Sequence, residues 1–197
     1  MNKDTDKMLR KGRLKGAYTS LPPDVQERVQ KRCRQLMAEN PTADKSLRQH
    51  VHAVILPAIA LREILPKNGY AKGECLRLIR SSVLESAKPL QRAFSTVGRL
   101  PFFFPIFRVM CKKSMPAMYG EGGWVFRWKT NTKTAIEWDC TKCIYHDLFV
   151  QYGFRELTAI FCESDDVMYG SIPTARWGRT KTIGRGADIC DFCFYKN

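Results

Sequence analysis

The pattern of apolar residues changes near Gly120–Gly123. Before this point apolar residues recur at three- and four-residue spacing, and after it aromatic and β-branched residues alternate or cluster. The first pattern is typical of amphipathic helices and the second of strands. The sequence therefore predicts an α+β fold, in which a helical N-terminal half packs on a small, mainly antiparallel sheet with short helices.

Three long helices are predicted in the first half. The first begins within Leu21-Pro22-Pro23-Asp24 and presents a buried stripe of Val25, Val29, Cys33 and Leu36. The second covers about 46–65 and the third 71–97. Each contains a proline, Pro57 and Pro89, which should kink, bend or divide it.

The aromatic segment Leu100–Phe107 sets four phenylalanines around two prolines. It is interpreted either as the start of a helix packed on the core or as an apolar pocket wall. In the second half, strands are predicted over 124–129, 135–140, 170–177 and 189–195. Short helices are predicted over 145–153 and 156–162.

The first twenty residues contain six lysines and arginines. We predict that residues 1–20 form a flexible basic arm, because chain termini are often poorly ordered. Residues 21–197 are predicted to form a single α+β domain, with a helical half over 21–120 and an α+β half over 121–197.

The net charge of +14 lies mainly in the first half. Residues 1–99 carry 20 basic against 9 acidic side chains, and residues 100–197 carry 13 against 10. Such a charge can attract nucleic acid, an acidic surface or a small anionic substrate, or it can serve solubility alone. Because the basic residues are scattered, we do not expect a nucleic-acid partner.

The start of the chain is polar and lacks the apolar core of a secretory signal. The longest apolar stretches, Val54–Leu61 and Leu100–Phe107, are too short to span a bilayer. We therefore expect a soluble cytoplasmic protein without a membrane partner. In that compartment the eight cysteines are expected to be thiols or metal ligands rather than disulfides.

Two Cys-x2-Cys pairs, Cys140/Cys143 and Cys190/Cys193, have the local spacing of zinc ligands. However, the second pair lies in a predicted strand, where residues three apart face opposite sides of the sheet. We therefore predict no metal site and no cofactor.

The last third also contains candidate nucleophiles and bases. Cys143, Cys162 and Cys190 are candidate thiols, and His146 lies one helical turn after Cys143. Candidate general bases are Asp165, Asp166 and Asp191, if burial raises their pKa. The structural alternative is that the cysteines are buried packing residues and the aspartates are loop or cap residues.

The segment Arg179-Thr180-Lys181-Thr182 is a candidate carboxylate site, because the planar guanidinium of arginine matches a carboxylate. The alternative is an exposed strand with alternating polar residues. Both interpretations stay open from the residues alone.

Four motifs together resemble a known family. They are Lys142-Cys143-Ile144-Tyr145, then Phe161-Cys162-x2-Asp165 preceded by Gly153 and Glu156-Leu157, then Arg179-Thr180-x-Thr182, and finally Gly186-x3-Cys190-Asp191-Phe192. Over roughly residues 45–195 the chain resembles the L-2-amino-thiazoline-4-carboxylic acid hydrolase family. The last motif is also similar to the end of small-molecule-binding domains of the 4-vinyl reductase type.

The resemblance implies a hydrolase that opens a small cyclic thiazoline carboxylate to give N-carbamoyl-L-cysteine, or that acts on a related compound. It matches Cys143, Cys162 and Cys190, whereas Cys140 and Cys193 are additional to the family pattern. The partner is then a small-molecule carboxylate.

The predicted roles follow from these motifs. Cys162 or Cys190 is the reactive thiol, and Asp165 or Asp191 is the base. The remaining candidates are Cys143 for catalysis and Arg179, Thr180, Thr182 and His146 for binding the substrate.

Two other functions stay open. One is a non-catalytic small-ligand-binding or sensor domain, and the other is a zinc-dependent nucleic-acid-binding module.

Overall fold

The computed structural model of the protein describes residues 2–120 and 122–197. In this part of the chain, nine α-helices and several single turns accompany one four-stranded sheet. The helices are α1 (Asn2–Lys11), α2 (Lys15–Thr19), α3 (Pro23–Glu39), α4 (Lys45–His50), α5 (Leu56–Ile64), α6 (Lys72–Val97), α7 (Phe103–Tyr119), α8 (Ile144–Gln151) and α9 (Glu156–Tyr169). The strands are β1 (Trp124–Asn131), β2 (Ala135–Cys143), β3 (Ala175–Gly178) and β4 (Cys190–Lys196). The predicted α+β fold is confirmed.

Helix α3 follows the sequence prediction closely. It begins at Pro23, whose fixed φ suits a first helical turn, and it buries the predicted stripe of Val25, Val29, Cys33 and Leu36. The helix ends at Asn40, whose side-chain amide donates to the carbonyl of Leu36 at 2.8 Å. The buried stripe packs α3 against α5.

The two prolines that were predicted to distort helices, Pro57 and Pro89, have different effects. Before Pro57 the chain forms a π-helical turn over Val51–Ile55, and α5 then begins at Leu56, so the predicted irregularity is present. In contrast, α6 is a single helix from Lys72 to Val97 although it contains Pro89. The predicted division of this helix is therefore wrong. Pro89 lies on the exposed side of this helix.

The segment expected to be a flexible arm is helical where the structure describes it. Helices α1 and α2 bury Leu9, Leu14 and Tyr18 in the main core. The hydroxyl of Ser82 on α6 accepts from the backbone N–H of Ala17 at 3.1 Å and donates to the carbonyl of Arg13 at 3.2 Å. The apolar residues among the lysines thus hold this segment on the body of the protein. That the remaining chain is a single domain stays a prediction.

The sheet has the strand order β1-β2-β4-β3, and every neighbouring pair is antiparallel. The register places Cys140 on β2 directly opposite Cys190 on β4. The predicted strand over 170–177 is too long, because β3 begins only at Ala175. The predicted helix over 156–162 is too short, because α9 continues to Tyr169. The extension of α9 carries Asp165 and Asp166 on a helix rather than on a loop.

The aromatic segment at 100–107 forms the start of α7. Phe103, Phe104 and Phe107 are buried in a second core with Trp138 and Phe194 of the sheet. This confirms the interpretation as a helix start packed on the core. None of the helices that the structure describes has the length and apolar character needed to cross a membrane.

Candidate active site

Arg179, the first residue after β3, is the centre of a buried ionic cluster. Its side chain is only 1% exposed and lies beside the rings of Trp177 and Phe192. Nη1 donates to Asp165 Oδ2 at 2.8 Å, and Nη2 donates to Asp166 Oδ1 at 2.8 Å. Nη2 also donates to the backbone carbonyl of Cys162 at 2.7 Å. The guanidinium is thus occupied by groups of α9.

Asp165 combines a deeply placed carboxyl group with an accessible oxygen. Burial raises its pKa to about 6, although the charge and hydrogen bond of Arg179 act in the opposite direction. Nevertheless, 27% of the surface of the Asp165 side chain is exposed to solvent. Arg179 donates to Oδ2, and no group of the described chain donates a hydrogen bond to Oδ1. A carboxyl group with this pKa can take up and release a proton near neutral pH.

Four thiols converge beside this cluster. Cys140 and Cys190 are cross-strand neighbours, and Cys190 contacts the thiol of Cys162 on α9. Cys143 ends β2 at the N-cap of α8, near enough to influence the pKa of Cys140. Backbone groups complete the cluster, since the N–H of Ile183 donates to Cys190 Sγ at 3.3 Å. The structure therefore brings the three family cysteines together.

The surroundings of these thiols favour their protonated form. Burial raises the pKa of Cys143 to about 11, although the amides of His146 and Tyr145 lower it in part. The pKa of the Cys162 thiol is also raised, chiefly by its contact with the thiol of Cys190 and in addition by burial. Because the thiolate is the nucleophilic form, both cysteines are weak nucleophiles in this conformation.

Cys193 lies apart from the other thiols. It contacts the carbonyl of Gly178 on β3, whereas Cys190 faces α9. This is the opposite-face arrangement that the strand geometry predicted for residues three apart. Within residues 2–120 and 122–197, no three His, Cys, Asp or Glu side chains are grouped to hold a metal ion.

Gly184 allows a close approach between two segments of the site. It lies in the 3₁₀ turn Ile183–Arg185, which packs directly on α9. A Cβ atom at this position would be 2.9 Å from Cys162 Sγ and 2.9 Å from the backbone nitrogen of Ala159. A residue with a side chain would therefore displace the turn from the thiol cluster.

Asp191 and the threonines hold the loop before β4 together. Asp191 accepts from the backbone N–H and the hydroxyl of Thr180, at 3.0 and 2.6 Å, and from the N–H of Lys181. The hydroxyl of Thr182 accepts from the N–H of Arg185 at 3.1 Å. Burial alone would raise the pKa of Asp191, but these hydrogen bonds together lower it. All three side chains are engaged within the loop, and their predicted roles stay predictions.

His146 lies in a separate surface pocket. The pocket has a volume of about 310 Å³ and is lined by Cys143, Arg155, Gly186 and Asp188 among others. The Nδ1 atom of His146 is buried and has no hydrogen-bond partner in the described residues. Cys143 is thus shared between this pocket and the thiol cluster.

Three tyrosines from different helices lie near Asp165. They are Tyr119 at the end of α7, Tyr145 on α8 and Tyr169 on α9, and burial raises the pKa of each hydroxyl while the charge of Asp165 raises it further. Cys162, Asp165, Tyr119 and Tyr169 all keep some accessible surface. The region bordered by these tyrosines, Cys162 and Asp165 is therefore largely buried but not sealed from solvent, and we call it the central recess.

His50 fixes the hydroxyl of Tyr145. Its Nε2 atom is 3.1 Å from the carbonyl of Met118, so Nε2 carries the proton and donates. Nδ1, 3.0 Å from the Tyr145 hydroxyl, then accepts from it. Burial lowers the pKa of His50 and so favours this neutral form. The ring also packs against Tyr119 and Trp124, which line a neighbouring pocket of about 250 Å³.

The sequence motifs identified Asp165, Cys162 and Arg179 but not the groups contributed by the helical half. None of the sequence motifs includes His50, and Arg13 lies in the segment that was predicted to be a flexible arm. The apolar residues Leu9, Leu14 and Tyr18 around Arg13 were the available signal that this segment packs.

Comparison with known proteins agrees with the motifs. A sequence model described as L-2-amino-thiazoline-4-carboxylic acid hydrolase matches residues 48–194, which include α5 to α9 and almost the whole sheet. No curated protein and no solved structure matches the chain significantly. Because the matched region covers well over half of the sequence and contains Asp165, Arg179 and the clustered thiols, the chain belongs to the L-2-amino-thiazoline-4-carboxylic acid hydrolase family.

Proposed function

We propose that this protein hydrolyses a small cyclic thiazoline carboxylate, with L-2-amino-thiazoline-4-carboxylate as the first substrate to test. The observation that carries the proposal is Asp165, a recessed carboxyl group with a pKa of about 6, one oxygen held by Arg179 and the other available. Family membership supplies the substrate class. The expected product is N-carbamoyl-L-cysteine.

Asp165 would move protons in two successive steps. First, it takes a proton from water while the water oxygen bonds to the ring carbon between sulfur and nitrogen, and the proton passes to the ring nitrogen. Next, it takes the remaining hydroxyl proton as the carbonyl forms and the carbon–sulfur bond breaks. That proton passes to the departing sulfur. The sum is one water added and one thiol formed, and a pKa near neutrality suits both directions of transfer.

The other residues would position and enclose the reaction. Arg179 would orient Asp165, because it holds Oδ2 and is itself fixed by Asp166. The protonated thiols of Cys143 and Cys162 would border the substrate. A covalent route through Cys162 or Cys190 is the competing mechanism, and the raised pKa of Cys162 argues against it.

The test is release of product from purified protein, measured by mass spectrometry so that protein thiols do not interfere. We expect Asp165→Asn to reduce turnover about 10²- to 10⁴-fold, the usual contribution of a general base. Asp188→Asn is the matched control, since this aspartate is exposed and lies in the other pocket. It should retain wild-type turnover.

Four outcomes would contradict parts of the proposal. Absence of turnover by the wild type would exclude this substrate, and thermal stabilisation by the thiazoline without turnover would favour a ligand-binding domain. Full activity of Asp165→Asn would exclude Asp165 as the base. Loss of activity in Cys162→Ala or Cys190→Ala together with a trapped acyl-type adduct would favour the covalent route.

A further inference from the structure

The outward side of α7 is apolar although it faces solvent. Four large apolar side chains at its beginning are 40 to 54% exposed, namely Phe102, Ile106, Val109 and Met110. Phe102 precedes the helix, and its carbonyl accepts the first helical hydrogen bond from Ile106 at 3.3 Å. Separations of three and four residues place these side chains on one side of α7, away from the side that packs in the second core. We call these four residues the apolar stripe of α7.

The exposed apolar surface continues onto the end of α6. Leu90 and Val97 are both 44% exposed and lie four residues before and three residues after Phe94, so they share its side of the helix. Phe94 in turn packs against Phe103 and Phe107 of α7, with ring centres 6.4 and 6.1 Å apart. The two helices therefore contribute neighbouring exposed apolar side chains.

These side chains are concentrated in one part of the chain. Of the ten large apolar side chains that are exposed in the described residues, eight lie within residues 86–120. Single exposed apolar residues are normal on a protein surface, whereas a cluster of them is typical of an interaction site.

The charge of the same segment is entirely positive. Residues 86–120 contain six lysines and arginines and no aspartate or glutamate. Lys112 and Lys113 are exposed directly after the apolar stripe, and Arg99 is exposed shortly before it. Among the described residues, only Lys88 of these six forms an ion pair with a carboxylate, that of Glu85. The surface thus combines apolar side chains with a net positive charge.

We propose that α7 docks this protein on the surface of a membrane that contains anionic lipids. The apolar stripe enters the headgroup region, and the flanking cations contact the lipid phosphates. The sequence predicted no membrane partner, because its apolar stretches are too short to span a bilayer. A helix that lies along the surface needs no spanning segment. This inference does not depend on the proposed function.

Two other occupants fit the surface less well. A second copy of the same face would bring six further cations and no acidic residue against the first, and like charges repel. A nucleic acid would neutralise the cations but would leave the aliphatic side chains of Ile106, Val109 and Met110 in water. A bilayer with anionic headgroups satisfies both features of the surface.

The test is cosedimentation of the purified protein with vesicles of phosphatidylcholine, either alone or with about 30% phosphatidylglycerol. Wild type should bind the anionic vesicles at least about 10-fold more tightly than the neutral ones. Phe102→Ser combined with Ile106→Ser should weaken binding to the anionic vesicles about 10- to 100-fold, because two apolar side chains no longer enter the bilayer. Lys112→Gln combined with Lys113→Gln should weaken it about 10- to 30-fold, because two cations near the anionic surface are lost.

Matched controls change exposed residues outside this surface. Val150→Ser removes a side chain of α8 that is 47% exposed, and Lys7→Gln combined with Lys11→Gln removes two exposed cations of α1. Both controls should bind the anionic vesicles as the wild type does. Melting temperatures show which variants fold, and Met110→Gln is used if the serine variant does not fold.

Four results would overturn the proposal. They are equal binding of the wild type to both kinds of vesicle, no binding to either kind, and unchanged binding after loss of the apolar stripe residues. The fourth is a dimer, or a complex with a DNA duplex, that forms through this surface without vesicle binding. Turnover of a soluble substrate should be the same in all these variants, so the docking surface and the proposed hydrolase fail separately.

Discussion

Replacing Asp165 by asparagine should stabilise the protein at pH 8 while it removes turnover. Folding raises the pKa of this carboxyl group from 3.8 to about 6, chiefly through burial. The charged form is therefore less favourable in the folded protein than in the unfolded chain. Asparagine resembles the protonated acid, and its carbonyl can still accept from Arg179.

The sign and size of the effect follow from the two pKa values. Below pH 3.8 the group is protonated in both states and imposes no cost. Between pH 3.8 and about 6 the unfolded chain ionises this group while the folded protein keeps it protonated, so stability is lost over this range relative to the asparagine variant. A shift of about 2 units corresponds to about 3 kcal/mol at pH 8. Since the side chain keeps 27% exposure, we expect about 1–3 kcal/mol.

The assay is urea denaturation of wild type and Asp165→Asn between pH 4 and pH 8. The difference in the free energy of unfolding should be small at pH 4, should increase up to about pH 6 and should then stay nearly constant up to pH 8. Asp191→Asn is the control, for which the effect on stability should have the opposite sign. Hydrogen bonds lower the pKa of Asp191, so its contribution is present at neutral pH and is lost at low pH. This variant should be less stable than wild type at pH 7, by about 1 kcal/mol.

A pH-independent difference, or an Asp165→Asn variant that is less stable at pH 8, would refute the reasoning. It would mean that the pairing with Arg179 outweighs burial and that the pKa of Asp165 is not raised. The proposed proton transfers would then lose their main physical support.

Three further changes test the surroundings of the site. Gly184→Ala should destabilise the protein by about 1–3 kcal/mol in thermal or urea unfolding, because the added Cβ would lie 2.9 Å from Cys162 Sγ. Gly73→Ala is the control and should not destabilise the protein, because no atom lies within 4 Å of the added Cβ. Arg179→Lys should lower turnover and shift the acid limb of the pH–rate profile upward, since one ammonium cannot hold both aspartates and the pKa of Asp165 rises. Iodoacetamide should modify Cys143 at pH 8 about 100-fold more slowly than free cysteine, because a pKa of about 11 leaves only about a thousandth of the thiol ionised. The rate of alkylation is measured by mass spectrometry of the protein.

Local patterns were sufficient to predict most of the fold. The apolar residues of α3 follow the helical period, and those of β1, β2 and β4 follow or cluster in the pattern of a strand. Each of these elements was therefore predicted to within a few residues. The errors lie where two signals compete. Residues 163–169 are polar enough for a loop, yet α9 continues through them because α6 packs along its length. The dense charge of residues 1–20 concealed the apolar positions that anchor α1 and α2.

The candidate site was only half predictable, for a different reason. The motifs of the last third located Cys162, Asp165 and Arg179, because these residues lie close together in the chain. The sequence could not show that Arg179 is saturated by two aspartates, or that Asp191 is engaged with its own loop. Such assignments depend on hydrogen-bond partners, and a linear pattern does not reveal which donors remain unpaired.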